Sequence, residues 1–212
     1  MTTSARAKKI GSILTKTYPD AECALHHKNP LQLLVATILA AQCTDERVNQ
    51  VTPPLFKKYK TAADYAQTDL RTLEQEIRST GFYHQKAKSI HAVGQTLVKE
   101  FCGTVPRTMA QLTRLRGVGR KTANVVLGNC FGVPGIVVDT HVRRLAFRMG
   151  FTRHTDPDKI EQDLMKLFPK SEWTNISHCI TFHGRRICKA IKPACHACSI
   201  ESLCPKMGIR TK

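Results

Sequence analysis

Four of the nine cysteines lie close together near the C-terminal end of the sequence, at Cys188, Cys195, Cys198 and Cys204. Thiolates are soft ligands that select zinc or iron–sulfur centres, so this density predicts one shared metal site rather than four separately buried thiols. A zinc site usually has two short-spaced pairs of ligands, whereas only Cys195 and Cys198 form a close pair here. The spacing therefore favours an iron–sulfur centre, with zinc as the alternative.

A glycine turn, residues 115–119 with the sequence LRGVG, precedes a predicted helix that opens with Arg-Lys. Gly117 and Gly119 can adopt positive φ and carry no Cβ, so backbone N–H groups of the turn and of the next helix can point at one phosphate. Alone, this pattern also fits a plain turn between helices. The cations Arg116 and Arg120 beside it favour phosphate binding.

Lys121 follows this turn and has two interpretations. It is either a further phosphate contact, or a nucleophile, because the helix N-terminus and Arg120 both favour the uncharged amine that can attack carbon. Asp139, in the stretch VDTHVRR, also has two possible roles, which can coexist. It can cap the next helix, and it can hold or deprotonate the amine and stabilise a cationic sugar.

The charge balance points to an anionic partner. Lys and Arg total 33 against 16 Asp and Glu, which gives a formal net charge of +17. The basic residues are spread along the chain rather than confined to one tail. Nucleic acid is the first candidate for such a partner, and a membrane surface or an indifferent basic surface are the alternatives.

Apolar residues recur at helical rather than alternating spacing, which predicts an all-α chain with roughly nine to eleven helices. Thr68 or Asp69 is a candidate N-cap for the helix that begins near Leu70. The stretch at 135–139 is too short to build a sheet. The clearest periodic segments are one face of a first helix at Ile10, Ile13 and Leu14, a second at Leu70, Leu73 and Ile77, and the stretches 33–41, 84–101 and 156–168.

We expect the protein to stay in a reducing intracellular compartment, cytoplasmic and associated with the nucleoid. The most apolar run, at 33–41, is about half the length of a membrane span. The first ten residues contain no apolar segment followed by a cleavage site. An odd number of cysteines also cannot form a complete set of disulfides.

In combination, the stretches LAAQCTDERVNQV (39–51), LRGVGRKTANVVLGNCFG and VDTHVRR and the cysteine spacing resemble the endonuclease III family of DNA base-excision repair glycosylases. The resemblance covers nearly the whole chain. It implies two helical domains, with DNA in the groove between them. Nothing in the sequence suggests an obligate partner, so we expect a monomer. Residues 22–133 would form a six-helix barrel with a helix-hairpin-helix motif, and residues 1–21 and 134–212 would hold a 4Fe-4S cluster on the four cysteines.

The resemblance also implies a bifunctional DNA glycosylase and abasic-site lyase that removes oxidised pyrimidines from duplex DNA. Lys121 would attack C1′ of an extruded nucleotide, and the resulting Schiff base would allow β-elimination of the strand. Asp139 matches the catalytic aspartate of the family. Base flipping is required because C1′ is blocked inside a stacked duplex.

Further positions follow from the same resemblance. Gln42 would fill the gap left by the extruded base and Phe82 would wedge into the base stack, the alternatives being a helix-end amide and a core aromatic. Asp45, whose alternative role is a helix cap, and His141 would line the substrate pocket. The remaining expected DNA contacts are Leu115, Arg116, Gly117, Val118, Gly119, Arg120, Arg144 and Lys192.

Arg116 departs from the usual Leu-Pro-Gly of the family turn, which removes a fixed φ and adds a charge. Two other functions stay open. One is a monofunctional mismatch glycosylase, a class that lacks the nucleophilic lysine and usually carries a further C-terminal domain. The other is a DNA-binding helix-hairpin-helix module without chemistry.

Overall fold

The computed structural model describes residues 1–209, which fold into eleven α-helices and four short 3₁₀-helices with no β-strand in that range. The predicted all-α class is therefore confirmed. The α-helices are α1 (Thr3–Thr17), α2 (Pro30–Leu39), α3 (Asp45–Lys58), α4 (Ala62–Gln67), α5 (Leu70–Glu76), α6 (Tyr83–Phe101), α7 (Met109–Leu112), α8 (Arg120–Phe131), α9 (Thr140–Arg148), α10 (Pro157–Leu167) and α11 (Trp173–Arg186). The 3₁₀-helices are Arg78–Thr80, Lys170–Glu172, Cys195–Ala197 and Glu201–Leu203.

Helix starts coincide with side chains that can accept a hydrogen bond from the first turn. Asp69, rather than Thr68, caps α5 by accepting from the backbone N–H of Thr72 at 2.9 Å. Asp156 caps α10 in the same way, and Pro157 occupies the first helical position, where no N–H is needed. These polar signals explain why the helices begin where the sequence predicts.

The chain divides into two compact units. The central unit is Cys23–Val133 and contains α2 to α8. The terminal unit combines Met1–Glu22 with the described residues from Pro134 onward, and it contains α1 and α9 to α11.

The core of the central unit forms around α2 and α6. The apolar run at 33–41 gives α2, and its Leu33, Leu34 and Leu39 are fully buried. Gly94 of α6 lies so close to α4 that an added Cβ would be 2.8 Å from the carbonyl oxygen of Ala62. A side chain at this position would push the two helices apart, so glycine permits their close packing.

The core of the terminal unit joins the N-terminal helix to later elements. Ile10 and Leu14 of α1 are fully buried, while Ile13 packs at the edge of the same cluster. Arg6 donates hydrogen bonds to the carbonyls of Met149 and Gly150, just after α9. Residues distant in sequence therefore share one core.

No helix among residues 1–209 has both the length and the apolar composition that crossing a membrane requires.

Candidate functional site

The glycine turn connects α7 to α8, and only one of its glycines requires a left-handed backbone. Gly117 has φ 77°, and an added Cβ would lie 2.9 Å from Oγ and 3.0 Å from Cβ of Ser89. Gly119 has φ −90° and open space around it, so the expectation of positive φ at both glycines is wrong for Gly119. Gly119 instead serves as the N-cap of α8 without a side-chain acceptor, which leaves the N-terminal N–H groups to bind an anion.

The side chains of the turn alternate between the core and the surface. Leu115 and Val118 are 2% and 5% exposed, so only their backbone groups can meet a ligand. Arg116 and Arg120 are exposed, as is Lys121 in the first turn of α8. The turn therefore combines a buried apolar anchor with an outward row of cations near a helix N-terminus, an arrangement suited to phosphate binding.

Gln42 and Phe82 line one pocket in the central unit, and both have a left-handed backbone that is rare outside glycine. Their φ angles are 52° and 47°. The side chain of Phe82 is 66% exposed, which excludes the core-aromatic alternative. Such conformations cost about 1–3 kcal/mol each and cluster at functional sites. The residues that line this Gln42 pocket are Ile38, Ala41, Gln42, Phe82, Gln85, Lys86, Ser89, Arg116 and Gly117.

Asp45 begins α3 and is half-buried, but it is not the helix cap. Thr44 is the cap, since its side chain accepts from the backbone N–H of Arg47 at 3.2 Å. The predicted role of Asp45 at a substrate pocket stays a prediction.

Asp139 is the N-cap of α9, in the terminal unit. Its Oδ1 accepts from the N–H of Val142 at 2.7 Å, and its Oδ2 accepts from Oγ1 of Thr181 at 3.3 Å. The capping role is therefore confirmed. The half-buried carboxylate has one oxygen directed to each partner, so its position is fixed before any ligand binds.

His141 and Arg144 form one hydrogen-bonded group at the same helix. Arg144 Nη2 donates to the carbonyls of Gly184 and Cys188, both at 2.9 Å, and lies 3.2 Å from Nδ1 of His141. Burial is the main cause that lowers the pKa of His141, which favours its neutral form. DNA and substrate contacts by these two residues stay predictions.

The four clustered cysteines line one pocket in the terminal unit. Burial is the main cause that raises the pKa of the Cys198 and Cys204 thiols, so a cationic centre is what would convert them to thiolates. Within residues 1–209, no three side chains of His, Cys, Asp or Glu are close enough to hold a single metal ion.

Two buried residues support the cysteine loop, and sequence reasoning missed both. Arg148 donates to the carbonyls of Lys189 and Ala190 at 2.7 and 2.8 Å and to Sγ of Cys188 at 3.3 Å. His183 is 1% exposed, with Nε2 3.3 Å from Sγ of Cys198. Lys192, predicted to contact DNA, is exposed in this loop with φ 50°.

A third residue that the sequence did not single out is Lys86. It is only 4% exposed and lines the Gln42 pocket. Its place in an amphipathic helix gave no sign of burial, because a lysine there is ordinarily solvated.

Comparison with known proteins assigns this arrangement to a family of DNA repair proteins. Residues 35–170 match the model of the HhH-GPD superfamily base excision DNA repair protein. Endonuclease III of a Synechocystis species is 53% identical over 201 residues, which are 94% of this chain and 92% of that protein. Endonuclease III of Bacillus subtilis is 47% identical over 205 residues, which are 96% and 92% of the two chains.

A solved structure has the same fold over nearly the whole chain. It is described as a trapped endonuclease III–DNA covalent intermediate in an estranged-adenine complex. The TM-score is 0.92 at 46% sequence identity, and the match covers 97% of each chain.

Proposed function

The chain belongs to the endonuclease III family of the HhH-GPD superfamily and is a DNA N-glycosylase and abasic-site lyase of base excision repair, and we propose that Lys121 is its nucleophile. The observation that carries this proposal is the position of Lys121, exposed in the first turn of α8 directly after the glycine turn. A phosphate bound at that helix N-terminus would bring a deoxyribose within reach of its amine. The covalent DNA complex of the related structure supports the same chemistry.

The glycine turn binds the DNA backbone and does not read sequence. Its ligands are backbone N–H groups at the start of α8 together with the exposed side chains of Arg116 and Arg120. Contacts of this kind fix the register of a protein on a duplex, while the bases are read elsewhere. Its task is to deliver one sugar to Lys121.

In the proposed reaction, the uncharged Lys121 amine forms a bond to C1′ of the extruded nucleotide. The glycosidic C1′–N bond breaks, and its electron pair leaves with the damaged base, which takes up a proton. The bonded nitrogen loses one proton to a base, and the C1′–O4′ bond then opens as O4′ takes up a proton, which gives the protonated Schiff base and a free 4′-hydroxyl. The imine then acidifies the C2′ proton, and its removal expels the 3′ phosphate, which breaks the strand.

Asp139 is the proposed partner of this reaction. A carboxylate can accept a proton from the attacking amine, and its negative charge stabilises the cationic sugar that develops as the base leaves. The hydrogen bonds to Val142 and Thr181 support this role, because they fix both oxygens in advance.

We assign the distortion of DNA to the two left-handed residues of the Gln42 pocket. The exposed ring of Phe82 enters the base stack, and Gln42 fills the gap that the extruded nucleotide leaves. Asp45 and His141 are the proposed contacts to the flipped base, and Arg144 and Lys192 are proposed to bind phosphates. The proposed substrates are oxidised pyrimidines and abasic sites in duplex DNA.

The four-cysteine pocket is the proposed site of a 4Fe-4S cluster. All four cysteines line one pocket, and only Cys195 and Cys198 form a short-spaced pair in the sequence, which favours a cluster of several irons over a zinc site with two such pairs. Cys188, Cys195, Cys198 and Cys204 would hold it, with the Cys188 sulfur also accepting from Arg148. With all four ligands supplied by the chain, the cluster would cross-link the loop, and no step of base removal passes through it.

Borohydride trapping tests the proposal. The protein is incubated with duplexes that contain an oxidised pyrimidine or an abasic site, and borohydride reduces any Schiff base to a stable adduct. We expect the wild type and Lys99→Gln, a control at another exposed lysine, to give the adduct, and Lys121→Gln to give none. Base release without an adduct in the wild type would indicate a monofunctional glycosylase. Neither product on any duplex would indicate a DNA-binding module.

A further inference from the structure

Lys86 is a buried cation that the proposed reaction does not use. Its side chain is 4% exposed, and its Nζ donates to the carbonyl oxygens of Leu39 and Thr80, both at 2.7 Å. Both acceptors are neutral backbone groups. Burial lowers the pKa of Lys86, as expected for an ammonium removed from water.

The two carbonyls are the ends of two separate elements. Leu39 is the last residue of α2, and Thr80 is the last residue of the 3₁₀-helix Arg78–Thr80. Carbonyl groups at the C-terminal ends of helices have no partner within the helix. An ammonium that binds both carbonyls therefore joins the ends of two helices that lie far apart in sequence.

Each of these ends leads directly into one of the left-handed residues. Gln42 lies three positions after Leu39, and Phe82 lies two positions after Thr80. Lys86 itself lies in the first turn of α6, which Phe82 precedes as the N-cap. The Lys86 ammonium therefore binds the backbone just before both left-handed residues. Its own helix, α6, begins directly after one of them, Phe82.

A lysine at this position stabilises the fold less than an apolar side chain of similar size could, because the buried charge loses its hydration. Its benefit is geometric. Strained turns keep their conformation only where surrounding contacts fix them, and two charge-assisted hydrogen bonds fix the carbonyls at the start of both.

We propose that Lys86 is a positioning residue that sets the separation and orientation of Gln42 and Phe82, and thereby the preference of the protein for DNA with a missing or damaged base. The inference rests on the proposed function, because it takes these two side chains to be the ones that enter the duplex. Lys86 itself touches no DNA in this account.

The test compares the dissociation constants of two duplexes, one undamaged and one with a tetrahydrofuran analogue of an abasic site. In Lys86→Met, which keeps the stem but removes the donors, we expect the preference for the analogue duplex to fall about tenfold, with binding of undamaged duplex unchanged. Val93→Ala is the matched control, since Val93 is a buried residue of the same helix, 1% exposed. Its preference should stay at the wild-type value.

Two further variants distinguish positioning from simple destabilisation. Lys86→Arg keeps a charged donor and should recover part of the preference. If Lys86→Met does not fold, Lys86→Gln, which removes the charge, replaces it as the variant expected to lose the preference. In a Gln42→Ala, Phe82→Ala background, Lys86→Met should change the preference no further, because the side chains it positions are already gone.

Three results would overturn the inference. The preference for the analogue duplex could be unchanged in Lys86→Met, or it could fall equally in Val93→Ala. Lys86→Met could also lower it further in the Gln42→Ala, Phe82→Ala background. Borohydride trapping of wild type and Lys86→Met on abasic DNA separates this failure from that of the proposed function. An adduct in both proteins leaves the Lys121 chemistry intact whatever Lys86 does.

Discussion

Two substitutions can separate the helix cap at Asp139 from its proposed catalytic role, because the two roles depend on different properties. The cap needs an acceptor oxygen toward the N–H of Val142, whereas the proposed reaction needs a negative charge. Asp139→Asn keeps the oxygen and removes the charge. Asp139→Ala removes both, together with the bond from Thr181.

The expected stabilities follow from these contacts. Asparagine caps helices as well as aspartate, so Asp139→Asn loses only the attraction of the charge to the helix N-terminus, about 0.3–1 kcal/mol. Asp139→Ala loses the cap, about 1 kcal/mol, and a side-chain hydrogen bond of about 0.5–1.5 kcal/mol. A difference of about 1–2 kcal/mol between the variants corresponds to roughly 2–8 °C in Tm for a chain of this size.

The expected rates follow a different order. Both variants lose the carboxylate, so both should release the damaged base about 10²- to 10³-fold more slowly than the wild type. Single-turnover base release and thermal unfolding measure the two quantities on the same preparations. A wild-type rate in Asp139→Asn would refute the catalytic role and leave Asp139 as a cap. Rates of base release that fall in proportion to thermal stability from wild type to Asp139→Asn to Asp139→Ala would also leave Asp139 as a cap.

Other predictions concern the glycine turn, the wedge and the charged surface. Gly117→Ala should lower the free energy of unfolding by about 1–2 kcal/mol and weaken DNA binding, because Cβ would meet Ser89 at φ 77°; Gly119→Ala, with open space around it, should cost less, and equal costs in urea unfolding would contradict the turn geometry. Phe82→Ala should change stability by no more than about 0.5 kcal/mol, since the ring is 66% exposed, while the preference for abasic-analogue duplex falls in a binding titration; an unchanged preference would remove Phe82 from the interface. The logarithm of the binding constant should fall linearly with the logarithm of salt concentration, and Arg116→Gln and Arg120→Gln should each reduce the slope by about 1, whereas a flat response would exclude phosphate binding by these cations.

Periodicity and capping residues were enough to predict most of the helices. The stretches around Ile10, Leu73 and residues 84–101 all became amphipathic helices, because their apolar faces pack on a core that any helical arrangement must bury. The start of the periodic stretch 156–168 has the same local cause, since Asp156 caps α10 and Pro157 occupies its first position. Signals of this kind act within one or two turns of chain.

The features that sequence could not predict depend on contacts between distant residues. The burial of Lys86 follows from a carbonyl 47 positions away, and nothing in its neighbours encodes that distance. Left-handed φ at Gln42 and Phe82 is likewise imposed by the surroundings, since neither residue type favours it. The side chains of Leu115 and Val118 are buried, which the sequence did not indicate, so their predicted DNA contacts would be made by backbone groups.

In the proposed reaction, one particular amine, that of Lys121, forms the bond to DNA. The borohydride-reduced adduct can be digested with protease and nuclease, and mass spectrometry can then locate the residue that carries the sugar remnant. We expect the remnant on Lys121. A remnant on another lysine, or on the N-terminal amine, would show that Lys121 is not the nucleophile.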